Sequence, residues 1–146
     1  MSESLRLEWD DSLETGVKLV DIQHKYLIHI INELAEAIEM GAAGSAVGRM
    51  IVLLKEYTVW HFGREELCMD RFQCPAADGN KNAHALFIKT FEAYQKEFRE
   101  HGGGEEIALR MHRTLTDWFV GHIKGTDTQL GCCAGIKAAR EAGEQI

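Results

Sequence analysis

Proline is nearly missing from this sequence: one residue, Pro75, in 146. Proline is the residue that most strongly breaks helices, so long uninterrupted helices are permitted on both sides of it. Basic stretches are missing too. The formal charge is −7 and the pI near 5.5, which argues against nucleic acid or an anionic membrane surface as partner. No apolar run approaches the ~20 residues that span a bilayer, so no membrane insertion is expected. The opening MSESLRLEWDD is acidic and lacks the basic start and apolar run of a secretory signal. The four cysteines, Cys68, Cys74, Cys132 and Cys133, show no paired CxxC spacing. Adjacent Cys132 and Cys133 are poorly placed to bond to each other, and free thiols in a cytoplasmic chain are the expectation.

What is there is helical periodicity, in four long stretches separated by short glycine-bearing breaks. The first is expected from about Asp21, as N-cap, to Met40, closing on Gly41. The second follows GAAGSAVG and runs to about Arg71. The third covers roughly Asn80 to His101 after the break QCPAADG, and the fourth about Glu105 to Lys124 after GGG. Helices of this length joined by short loops pack antiparallel, so the fold expected is all-α, an up-down-up-down four-helix bundle. A single domain over 1–146 is expected, with an irregular arm at 1–20, the bundle at 21–127 and a tail at 128–146.

Four of the seven histidines, His24, His61, His84 and His122, fall on the expected core stripe, one per helix. His29 and His112 fall off it, and His101 sits at a helix C-terminus. One core histidine is usually structural, but four imidazoles aimed at one axis each need partners in a desolvated interior. Glu65 follows His61 by four residues, so both project inward one turn apart. A buried carboxylate beside imidazoles calls for a cation. Asp127 follows His122 by five, and the intervening glycine would have to swing it inward. Imidazoles with carboxylates suit iron, manganese or zinc. The donors are too many for one tetrahedral zinc and fit two bridged metals. A ferritin-like site would need Glu-x-x-His, which does not occur here.

These segments resemble the bacterial hemerythrins, a family of non-haem di-iron oxygen-binding proteins. The matching stretches are TGVKLVDIQHKYLI around His24, HFGREE with His61 and Glu65, HALF from His84, and WFVGHIKGTD with His122 and Asp127. Their order and spacing cover about residues 9–127. The resemblance implies two iron ions, one held by His24 and His61, the other by His84 and His122. Glu65, Asp127 and an oxo or hydroxo group would bridge them. It also implies a dioxygen pocket formed by Ile28, Leu115, Trp118 and Phe119.

Two positions depart from the family pattern. The third helix of the family supplies His-x-x-x-His, and here Asn80 stands in the first slot. Asn80 could bind iron through its oxygen, hold a water, leave the iron one ligand short, or simply cap the third helix. Phe119 stands where leucine is common in the family, lining the gas pocket or packing beside Trp118. Reversible dioxygen binding by a carrier, store or delivery protein is the function expected. An enzyme consuming peroxide or dioxygen, and a sensor of dioxygen or nitric oxide, remain as alternatives. The chain is expected to act as a monomer.

Overall fold

The computed structural model describes residues 5–102, 104–125, 138–139 and 141–143. Four helices dominate them: α1 (Lys18–Glu39), α2 (Ala43–Arg71), α3 (Ala77–His101) and α4 (Glu105–Gly125). Sequential helices are joined by short turns and pack side by side, and α1 also packs on α4, closing the antiparallel bundle.

Glycine and one strained residue end the first two helices in the same way. At the end of α1, Gly41 takes a left-handed φ of 71°, and Gly41 N and Ala42 N donate to the Ile38 and Ala37 carbonyls. At the end of α2, Gln73 takes φ 52° without glycine's freedom, and Gln73 N and Cys74 N donate to Asp70 and Met69. Both are Schellman closures that satisfy carbonyls the helix leaves open.

The helix starts differ from the sequence expectation. α1 begins at Lys18 with Val17 as N-cap, and Asp21 lies inside its first turn. The Asp21 carboxylate instead accepts from Thr15 N at 2.9 Å and Thr15 Oγ1 at 2.8 Å, fixing how the arm enters the helix. α2 begins at Ala43, taking in glycines that favour turns, because Ala43, Ala46 and Val47 are buried in the core. Packing outweighs the ~1 kcal/mol that each interior glycine costs.

The arm is laid across the bundle. Leu7 N donates to Asn32 Oδ1 at 2.8 Å and Asn32 Nδ2 donates to the Leu7 carbonyl at 2.9 Å. A short 3₁₀ turn at Asp11–Leu13 follows, with Leu13 in the core. His112, expected off the core stripe, is buried. It interacts with the Leu5 backbone and with Glu39, so the arm supplies the polar contact that burial demands. The core itself is aliphatic, with Leu34, Ala35, Val47, Leu54, Ala108, Met111 and Ile123 fully enclosed. Enclosed within that interior are the buried polar side chains His24, His61, Glu65, Asn80, His84 and His122.

Candidate metal centre

Each helix contributes one imidazole to a single interior point. His24 on α1, His61 on α2, His84 on α3 and His122 on α4 are all buried, as is Glu65. Helix periodicity puts them there. His61 and Glu65 are four apart on α2, so they share a face one turn apart.

Glu65 is the hub. Its Oε2 lies 3.4 Å from His24 Nε2 and 3.3 Å from His61 Nε2. Its Oε1 lies 3.3 Å from His84 Nε2, and His84 Nε2 faces His122 Nε2 at 3.1 Å. Two triplets result, His24–His61–Glu65 and Glu65–His84–His122, with the ligating atoms of each within 4.8 Å of one another. Donors held by one cation at a metal–ligand distance near 2.1 Å lie about 3 Å apart. The observed spacings match, and two imidazole nitrogens facing each other in a dry interior are what a shared cation arranges. The residues present therefore fit two metals joined by a carboxylate.

Surrounding groups fix the imidazoles. Gln23 Oε1 lies 2.6 Å from His61 Nδ1. The amide oxygen accepts there, which keeps the proton on Nδ1 and leaves Nε2 as the ligating atom. Glu66 Oε2 sits 3.5 Å from His84 Nδ1 and sets a negative charge beside that ring, without a hydrogen bond to it among the described residues. Aromatic faces cover the rings. Phe62 stacks on His84 at 3.8 Å, Trp118 on His122 at 4.5 Å and Tyr57 on His61 at 6.4 Å. Tyr57 also donates to the Gln23 carbonyl, and burial, then nearby Tyr26, pushes its hydroxyl up to about 12. Tyr57 lies one helical turn before His61 on the same face, whereas Gln23, Glu66 and Phe62 carry no such signal in the sequence. Gln23 adjoins His24, Glu66 adjoins Glu65 and Phe62 adjoins His61, but adjacency in a helix puts neighbours ~100° apart. No spacing rule marks them.

Of the residues expected to line a gas pocket, Ile28, Leu115 and Phe119 are buried and Trp118 is partly buried. Phe119 meets His24 edge-on, ring centroids 5.6 Å apart. Trp118 also reaches His84 and Phe62. Asp127, Cys132 and Cys133 lie outside the described residues. Asn80 is not a helix cap: α3 starts three residues earlier, its N-cap is Ala76, and Asn80 N donates to the Ala76 carbonyl inside the helix. Asn80 is wholly buried beside Glu65. Cys68 is a free thiol, kept neutral mainly by burial and then by Glu65. Cys74 is disulfide-bonded, against the expectation that all four thiols are free.

The family model for the hemerythrin HHE cation binding domain matches residues 15–134. A bacteriohemerythrin of Pseudomonas aeruginosa is 32% identical over 83% of this chain and 76% of its own length. One from Methylococcus capsulatus is 30% identical over 82% of this chain and 88% of its own. Among solved structures, a wild-type hemerythrin is similar with a TM-score of 0.74 and 27% identity. That likeness covers 88% of this chain and 98% of the other.

Proposed function

The chain belongs to the hemerythrin family, whose members bind dioxygen at a di-iron centre, and on that premise we propose that it binds dioxygen reversibly, as a carrier, store or delivery protein. The observation that supports this reading most strongly is the buried carboxylate of Glu65, which faces one imidazole pair with each oxygen. Two irons would be held by His24, His61 and Glu65 on one side and by Glu65, His84 and His122 on the other. Asp127, matched by its motif, is proposed as the second bridging carboxylate. When bound, the iron pair would supply electrons to dioxygen on binding and take them back on release.

The protein's own contribution is enclosure. Burial of all five described ligands keeps bulk water from the site. Phe119 against His24 and Trp118 against His122 close it with rings that carry no general acid. Exclusion of water limits proton delivery and irreversible oxidation, which a reversible binder must avoid. Gln23 holds His61 in the tautomer that directs Nε2 inward.

We further propose a single domain over 1–146 that acts as a monomer in the cytoplasm, with peroxide and nitric oxide as other small ligands. No helix among the described residues is long and apolar enough to cross a membrane.

The test is an oxygenation cycle. Anaerobically reduced protein is exposed to air and the oxygen is then removed. A visible absorption band that appears and then disappears supports the proposal. Irreversible bleaching, or steady consumption of peroxide with an added reductant, favours a catalytic role instead.

A further inference from the structure

We infer that the cleft between the start of α1 and the end of α2 binds a small apolar carboxylate, with its head group on Arg64 and Arg71 and its hydrocarbon chain between Leu19 and Leu67. This site is separate from the metal centre and owes nothing to the di-iron reading.

The cleft encloses about 290 Å³, which is the small end of the size range of ligand sites. Its walls are largely apolar. Val20 lines it and is buried, while Leu19 on α1 and Leu67 on α2 line it with 51% and 65% of their surfaces exposed. A single exposed leucine is ordinary on a protein surface. Two of them on opposite helices of one cleft can cover a ligand's hydrocarbon from both sides.

Arg64 and Arg71 supply the charge. They are seven residues apart on α2, so they share one face, and both line the cleft. Each packs against a ring, Arg64 at 6.0 Å from Trp60 and Arg71 at 4.7 Å from Phe72. The planar fork of a guanidinium matches a carboxylate. Among the described residues no carboxylate lines the cleft, although the chain carries 23 acidic residues against 16 basic ones. Asp70, on the same helix, pairs with Lys81 at 2.7 Å, and Asp21 on α1 accepts from Thr15. Those two acids are committed elsewhere. The cleft is a positive spot on a chain whose total charge is −7.

Together these features select the ligand. A bare inorganic anion would use the guanidiniums and leave the apolar walls wet. A neutral hydrocarbon would use the walls and forgo the charge-assisted hydrogen bonds. A carboxylate on a short chain uses both. Gln23 also lines the cleft, and its Oε1 lies 2.6 Å from His61 Nδ1, so the cleft and the metal centre share one side chain.

The test is calorimetric titration of the purified protein with octanoate. One site per chain is expected, with a Kd on the order of 0.1–1 mM. Octanamide keeps the chain without the charge, and acetate keeps the charge almost without the chain. Each should bind about tenfold more weakly or worse. The double variant Arg64→Gln, Arg71→Gln changes two exposed side chains and should also lose about tenfold or more. Lys89→Gln removes an exposed charge from α3, which does not line the cleft, and should keep the wild-type affinity. Absence of saturable octanoate binding, equal binding of octanamide, or unchanged affinity in the double variant overturns the inference. An equal loss in Lys89→Gln would reduce the effect to net charge and overturns it too. A chain that self-associates in sedimentation, and takes up octanoate only as it dissociates, would place a second copy in the cleft and likewise overturns it.

Discussion

Glu65 reaches both imidazole pairs with one side chain, Oε2 within 3.4 Å of His24 and His61 and Oε1 within 3.3 Å of His84. Glu65→Gln keeps the size and the helix but removes the charge that offsets the buried cations. Iron content is expected to fall from about two per chain to below about one, with helical circular dichroism unchanged. Retention of both irons would show that Glu65 is a structural residue.

Gln23 should matter through His61 and nothing else, since its side-chain oxygen lies 2.6 Å from His61 Nδ1. Gln23→Leu is expected to weaken metal binding about 10–100-fold in competition with a chelator, while Gln23→Glu, which still accepts, restores it. Equal affinity in all three proteins would remove Gln23 from the site.

Much of this was legible in the sequence, for a definable reason. A 3.6-residue period places His24, His61, Glu65, His84 and His122 inward, and glycine marks the turns after α1 and α3, though not the one after α2. The starts of the helices were not legible. Asp21 was expected to cap α1, but its carboxylate is used by Thr15 in the arm, a pairing across six residues that no helix rule anticipates. Capping the third helix was one of the roles open to Asn80. The helix instead begins at Ala77, just after Pro75, and Asn80 becomes a core residue. His112 appeared to lie on an outer face because the arm that covers it is irregular and leaves no periodic trace.

His112 carries a pH dependence of its own. Burial pushes its imidazole below the ordinary histidine range, against the Leu5 backbone, Glu39 and Asp117, which push it up. The unfolded chain, near 6.5, then binds a proton more readily than the folded one. Stability is full above about pH 6.5 and is lost as pH falls through the lower folded value. Metal-free His112→Gln should lose less unfolding free energy than metal-free wild type between about pH 7.5 and 5.5. Parallel losses would contradict the assignment.

Gly63 and Gly48, both within α2, should respond oppositely to alanine. A Cβ on Gly63 meets nothing within 4 Å, whereas one on Gly48 would stand 2.9 Å from Phe98 Cζ. Gly63→Ala is expected to stabilise by about 0.5–1 kcal/mol through helix propensity alone. Gly48→Ala must displace the Phe98 ring and should gain less, or lose. Urea midpoints would separate the two; equal gains would mean that the ring yields freely.

The decisive measurement is anomalous diffraction at the iron absorption edge from crystals of the iron-loaded protein. Two peaks are expected on opposite sides of the Glu65 carboxylate, one flanked by His24 and His61 and the other by His84 and His122. A single peak, or iron bound away from Glu65, would contradict a carboxylate-bridged pair at the centre of this bundle.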